Sequence, residues 1–184
     1  MARTPYRPLL IAETAAFTSL MALGAWVSLP FLPVPLTLQT LFVILAGAVM
    51  GRYGIYPSSL YVLMGVLNIP VFHNGTAGIG VLLGPTGGYI LGFIPGSLAT
   101  GLAYEQRHDV LRVIGIGAGL FVIFFVGMTW LSFSTGMSAF AAFLVGVVPF
   151  LPGDALKGAA VFFIARRLDG LGIGPRDLKG GRVE

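Results

Sequence analysis

Long apolar runs that carry almost no charge constrain this chain more than any other feature of its sequence. Only 10% of its 184 residues are Asp, Glu, Lys or Arg, whereas 56% are hydrophobic. Soluble domains contain about 25% charged residues, so the composition excludes an ordinary soluble fold. A helix needs roughly 20 apolar residues to cross a bilayer, and several of the runs approach that length. The sequence therefore predicts an integral membrane protein.

The apolar runs indicate helices rather than the strands of a membrane barrel, because they are continuous and do not alternate with polar residues. We expect an all-α integral membrane protein with six transmembrane helices, the last of them broken between Pro149 and Gly153. The predicted spans are residues 9–28, 36–50, 55–67, 84–104, 113–133 and 139–168. They predict a single membrane domain, residues 1–168, followed by a polar cytoplasmic tail, residues 169–184.

The distribution of basic residues predicts the orientation of these spans. Of the eleven Lys and Arg residues, Lys157 alone lies in the interior of a predicted span, and Arg166 and Arg167 lie at the end of the last one. The others precede the first span, follow the last, or lie in the connections between spans two and three and spans four and five. The positive-inside rule then places both termini in the cytoplasm of a multi-pass plasma-membrane protein. The net charge of +4 follows from this topology and does not indicate a nucleic-acid partner.

One apolar run contains two opposite charges, Asp154 and Lys157. Positions three apart share a helix face, so the two side chains can point the same way. Pro152 suits the first turn of a helix, and the helix dipole favours an anion such as Asp154 there. Because ionisable groups within a membrane span are costly, they usually mark a ligand or a pathway. We expect the pair to face a cavity in a broken helix, although a structural pair that locks two helices together is the alternative.

Neutral polar groups accumulate towards the predicted outer face. The loop 68–88 is uncharged and rich in glycine, and a loop of that length is usually functional, for example as a lid. The free backbone N–H groups of a helix start can bind a ligand. This favours a ligand role for the residues that open the fourth span, Thr86, Gly87, Gly88 and Tyr89. Gln39, near the outer end of the second span, has either a ligand role or a helix-end role.

Two small residues four positions apart, Ala12 and Ala16, form a smooth face on the first span. Such a face lets another helix approach closely. The partner is either another helix of this chain or a separate membrane subunit.

Catalytic signatures are missing from the sequence, so we do not expect an enzyme. No Walker phosphate loop, HExxH or GxSxG motif occurs, and the chain has no cysteine for a thiolate metal site. We expect no cofactor, no metal site and no catalytic residues. Without an ATPase motif, a chain of this size must couple to something else if it pumps. An intramembrane enzyme that uses Asp154, Lys157 or His73 is the alternative from a different class.

Four segments in the expected order resemble the biotin-specific S component (BioY type) of energy-coupling factor transporters. The segments are PVPLTLQTL (33–41), IPVF (69–72), GPTGGY (84–89) and PFLPGDALK (149–157). The resemblance covers about residues 10–168. It implies a six-helix subunit that binds biotin with high affinity near the outer face for uptake into the cell. It also implies membrane lipid, a transmembrane coupling subunit and cytoplasmic ATPase subunits as partners. The nearby alternative is an S component for another vitamin or a biotin precursor.

The resemblance also implies site residues. The polar pocket residues of the family correspond to Asp154 and Lys157, with Asn74, Thr86 and Tyr89. The Asp and Lys side chains match a ureido ring, which offers two N–H donors and one carbonyl acceptor. No arginine of the outer half is placed to pair with the carboxylate of biotin. Its partner is then a neutral group, backbone N–H groups or Lys157. The face of Ala12 and Ala16 resembles the one with which S components dock the coupling subunit.

Overall fold

The apolar runs form helices in the computed structural model, which describes residues 6–29, 33–106 and 108–175. The helices within these residues are α1 (Tyr6–Trp26), α2 (Gln39–Met50), α3 (Ile55–Val66), α4 (Ile79–Leu83), α5 (Gly87–Tyr104), α6 (Asp109–Thr135), α7 (Ala139–Gly146) and α8 (Leu151–Gly170). Short 3₁₀ turns cover Gly51–Gly54, His73–Gly75 and Val148–Phe150. A two-stranded antiparallel ribbon pairs β1 (Ser28–Leu29) with β2 (Leu36–Thr37).

The six predicted spans correspond to α1, α2, α3, α5, α6 and the pair α7–α8, which confirms the all-α class. By length and composition, four continuous helical stretches of the described chain can cross a membrane. They are Pro8–Trp26, Gln39–Val66, Asp109–Thr135 and Ala139–Gly170. The second stretch joins α2 and α3, and the fourth joins α7 and α8. The number of crossings and the side that each terminus faces stay predictions.

The chain reverses between α2 and α3 at a glycine-dependent turn. Gly51 has a φ of +62°, a backbone conformation that glycine adopts without strain. Gly54 lies against Gly47, and a Cβ at Gly54 would be 2.7 Å from the Gly47 Cα atom. The two helices therefore cross closely beside the turn.

Helices α5 and α6 form the central helix pair, and small residues allow their close approach. A Cβ at Gly92 would lie 3.2 Å from Ile123 Cα, and one at Gly96 would lie 2.6 Å from Ile123 Cγ1. The Thr100 hydroxyl donates across the interface to the Gly115 carbonyl, at 3.2 Å. Packing of small residues holds helices together where lipid removes the hydrophobic driving force between them.

The break in the last span lies earlier than the sequence predicted. Val147 leaves the helical region with φ −126° and ψ −58°, and α8 begins at Leu151. Pro152 and Gly153 are therefore helical residues of the first turn. A proline at that position lacks only an N–H that the helix does not use, so the interruption falls before it.

Two other boundaries also differ from the prediction. Helix α6 begins at Asp109, so half of the predicted connection between spans four and five, residues 105–112, is helical. Helix α8 continues to Gly170, where Asp169 forms an ion pair with Arg112. A prediction from hydropathy makes both helices too short, because charged residues can continue a helix beyond its apolar stretch. Residues 176–184 of the predicted tail lie outside the described residues.

Charged side chains cluster at one end of the helix bundle. Arg52, in the turn after α2, donates to both carboxylate oxygens of Glu105, which follows α5. Partial burial acts to raise the pKa of Glu105, but the hydrogen bonds and charge of Arg52 outweigh it and hold the pKa below its usual value. Arg112 at the start of α6 pairs with Asp169 at the end of α8. This charged end lies beyond the end of α2, whereas Asp154 lies beside the start of α2.

Candidate functional site

The first turn of α8 brings Asp154 against the start of α2. Asp154 is 1% exposed, and its Oδ1 atom lies 2.7 Å from Lys157 Nζ. The Thr40 hydroxyl donates to the same Oδ1 atom at 2.8 Å. The predicted ion pair is therefore formed within α8. The bond from Thr40 also joins it to α2.

The ammonium group of Lys157 has all of its hydrogens in use. It donates to the Thr37 carbonyl at 2.7 Å, to Thr40 Oγ1 at 3.0 Å and to Asp154 Oδ1 at 2.7 Å. A lysine ammonium has three N–H donors, so these bonds account for every one. In this arrangement Lys157 balances the carboxylate charge and holds β2 and α2 in place.

The second carboxylate oxygen of Asp154 stands apart from this network. Oδ2 is buried and has no hydrogen-bond partner among the described residues. A buried acceptor without a partner costs about 1–3 kcal/mol, more when it is charged. Such an atom calls for an explanation, and a bound ligand with an N–H or O–H group supplies one.

Asp154 and Lys157 line a cleft whose free volume is about 40 Å³ in this conformation, room for roughly one water molecule. Its lining combines apolar walls with a few polar groups, as small-molecule sites do. Aromatic rings from three elements form much of the wall, namely Phe93, Phe124 and Phe150. The chemistry of this lining suits a small ligand with an apolar body and a hydrogen-bonding end, and such a ligand needs the walls to move apart.

Most of the predicted ligand residues lie together around the cleft, namely Asp154, Lys157, Gln39, Thr86 and Tyr89. Gln39 donates to the Tyr61 hydroxyl, which in turn donates to the Val71 carbonyl at 2.8 Å. The amide of Gln39 thus ties the cleft to the loop that follows α3.

Tyr89 and Gly88 have packing contacts at the start of α5. The Tyr89 hydroxyl donates to the Gly146 carbonyl at 2.8 Å, which fixes the end of α7 before the break. Gly88 does not line the cleft, and a Cβ there would collide with Trp130 of α6.

Asn74 and the alanine pair lie away from the cleft walls. Asn74 is exposed in the loop turn with a φ of +54°, in the left-handed region that Asn tolerates better than most residues. Ala12 and Ala16 are both exposed on α1, so no other helix described in the chain covers that face.

Sequence reasoning did not include Thr40 or the Thr37 carbonyl in this site, and it named His73 for the alternative enzyme rather than as a ligand residue. Thr37 and Thr40 are polar residues three apart at the start of a predicted span, and that spacing was the available signal. Their contacts with Asp154 and Lys157 cross more than a hundred positions of chain, as the separations of 114 and 120 residues show. A pattern among neighbouring residues of the sequence cannot predict a contact over such a distance along the chain.

Apolar helices around a cleft with a buried carboxylate define a helical membrane protein built to hold a small ligand. No cluster of three or more His, Cys, Asp or Glu residues that could bind a metal occurs in the part of the chain that the structure describes. The model of the BioY family matches residues 3–172, and the chain belongs to the BioY family.

Relatives and a solved structure agree with this assignment. The biotin transporter BioY of Thermotoga maritima is 40% identical over 165 residues, which cover 89% of this chain and 97% of the relative. A protein of Pyrococcus horikoshii named "Probable biotin transporter BioY" is 42% identical over 161 residues, covering 87% and 96%. The crystal structure of an S-component for biotin from an ECF-type ABC transporter has a TM-score of 0.82 and 24% identity, covering 92% and 95%. At that identity the structure shows the fold.

Proposed function

We propose that this chain binds biotin with high affinity and is the substrate-specific subunit of an energy-coupling factor transporter that takes biotin up across the plasma membrane. The chain is not an enzyme, as its family is one of transporter components. The observation that carries the proposal is the buried Oδ2 atom of Asp154, an acceptor without a partner in an apolar-walled cleft.

The ureido ring of biotin suits the Asp154 end of the cleft. Each ring nitrogen carries one hydrogen, and a carboxylate oxygen is a strong acceptor for it. The sulfur-containing ring and the aliphatic chain of biotin are apolar and match the aromatic walls. Lys157 supplies the opposite charge that a buried carboxylate requires. Thr86 and Tyr89 line the same cleft and would contact the rings, while Asn74 and the start of α5 at Gly88 would act through the loop that closes over the ligand.

The orientation and partners belong to the same proposal. The cleft lies at the α2 start, and the basic clusters at Arg52 and Arg112 lie at the far end of the bundle. By the positive-inside rule, the cleft then faces outwards and both termini face the cytoplasm. The exposed face of Ala12 and Ala16 would dock the transmembrane coupling subunit, through which cytoplasmic ATPase subunits supply the energy. Lipid surrounds the remaining helix faces, and no nucleic acid takes part.

Equilibrium binding of radiolabelled biotin to the purified chain in detergent tests the proposal. We expect saturable binding that unlabelled biotin displaces and that thiamine and riboflavin do not. Asp154→Ala is expected to raise the Kd for biotin about tenfold to a hundredfold, since hydrogen bonds to charged groups contribute about 1.5–3 kcal/mol.

Thr129→Val is the control, because the Thr129 hydroxyl is exposed and bonds only within its own helix. It should bind biotin like the wild type. If the wild-type chain does not bind biotin, or if thiamine, riboflavin or a biotin precursor displaces it better, the proposed ligand is wrong.

A further inference from the structure

A second residue that lines the cleft has a buried polar atom without a partner, the Nδ1 atom of His73. In the described part of the chain, buried side-chain nitrogen and oxygen atoms without partners occur in five residues. Of those five, His73 and Asp154 are the two that line the cleft. Unsatisfied polar atoms are rare in folded proteins, so two in one cleft suggest that a single bound molecule satisfies both.

The position of His73 is set by its neighbours rather than by a loose loop. Phe72 is fully buried and fills the space that Gly65 leaves open, where any Cβ would collide with its ring. The Phe72 ring meets Tyr61 edge-on, with centroids 5.5 Å apart. The Thr76 hydroxyl donates to the His73 carbonyl at 2.8 Å. The backbone on both sides of the imidazole is therefore anchored.

The other basic group that lines the cleft has no N–H left for a carboxylate. Lys157 is the one other basic side chain among the lining residues, and its three N–H groups bond to Thr37, Thr40 and Asp154. Burial lowers the pKa of His73, so that its imidazole is neutral near pH 7. A neutral imidazole still has one N–H donor.

We propose that His73 recognises the carboxylate end of the ligand by donating a ring N–H to it, while Asp154 Oδ2 accepts an N–H from the opposite end. This inference rests on the proposed function, since it assigns the second end of biotin. It makes His73 a specificity-determining residue: the cleft distinguishes a free acid from a neutral ligand with the same ring.

A thermodynamic cycle that changes His73 in the protein and the carboxylate in the ligand tests the proposal. Biotin and biotin amide are compared on the wild type, His73→Ala, His73→Asn and His108→Ala. We expect the wild type to prefer biotin by about tenfold to a hundredfold, as for a hydrogen bond to a charged group. His73→Ala should bind biotin as weakly as the wild type binds the amide, with affinity for the amide little changed. In His73→Asn the side-chain amide can take the place of the imidazole Nδ1 atom, so part of the preference should return.

His108→Ala is the matched control, because His108 is exposed before α6, at the opposite end of the bundle. It should keep the wild-type preference. Equal loss of both ligands in His73→Ala, or no loss of either, would overturn the role of His73 while leaving biotin binding intact. Failure of the wild type to bind biotin would instead contradict the proposed function itself.

Discussion

At the scale of single residues, the hydrogen bonds of Asp154 are distributed unevenly between its two oxygens. Oδ1 accepts from both Lys157 and Thr40, whereas Oδ2 has no partner within the described residues. The network thus fixes the direction of the carboxylate and leaves one acceptor available. A symmetric pair that used both oxygens would lock the helices without offering anything to a ligand. This asymmetry favours the ligand interpretation of the pair over the purely structural one.

The hydrogen bonds among Asp154, Lys157 and Thr40 also lead to a prediction about charge balance. Lys157→Met leaves the Asp154 carboxylate buried without its counter-charge, so we expect a loss of about 3–5 kcal/mol in the free energy of unfolding. The double variant Asp154→Leu/Lys157→Met removes both charges and should recover most of that loss. Thermal unfolding of the purified chains in one detergent measures the difference. Equal destabilisation by the single and double variants would mean that packing rather than charge dominates here.

At the scale of secondary-structure elements, the glycine faces of α5 and α6 determine how closely the central helices approach. Gly92 and Gly96 lie four residues apart in the sequence, a spacing that predicts a smooth packing face on one helix. The structure confirms it, because both glycines lie against Ile123 on α6. The spacing specified which face is smooth, but not which helix would cover it.

Two glycine substitutions separate the packing effect from helix propensity. Gly96→Ala places a methyl group 2.6 Å from Ile123 Cγ1, so we expect it to destabilise the fold by about 1–3 kcal/mol through overpacking. Gly117→Ala, on α6, places its methyl group in open space and should be neutral or stabilising by up to about 1 kcal/mol. Thermal unfolding of both variants in parallel provides the comparison. Equal effects would show that Ile123 moves aside without cost.

At the scale of the whole molecule, the cleft and the ion-pair clusters lie at opposite ends of the bundle. Arg52 with Glu105, and Arg112 with Asp169, occupy one end, whereas Asp154 lies near the other. Separation of this kind suits a protein that captures a ligand on one side and couples to partners on the other. The distribution of basic residues predicts which of these two ends faces the cytoplasm.

Reporter fusions test that sidedness. A reporter that is active only in the cytoplasm should be active when it is fused to either terminus. Fused within the loop between α3 and α5, the same reporter should be inactive, because that loop borders the outward cleft. Both results are expected because loops with Lys and Arg stay on the cytoplasmic side when the chain inserts into the membrane. Activity at one terminus alone would require an odd number of crossings and would refute the six-span arrangement.

The sequence by itself determined the class of protein, the helical content and the identity of the buried pair. Hydropathy, charge placement and the spacing of Asp154 and Lys157 are local properties, so they can be recognised along the chain. The break near Pro152 was predicted within a few residues for the same reason. Its true position before Leu151 depends on how α7 and α8 pack, which a local rule does not contain.

Only the tertiary structure decided how the pair is used. The contact of Thr40 with Asp154 spans 114 positions, and that of Lys157 with the Thr37 carbonyl spans 120. The placement of His73 beside the same cleft depends on the burial of Phe72 beneath the loop. These arrangements arise when distant segments pack together, because packing rather than sequence spacing selects which donors are satisfied and which acceptor stays open.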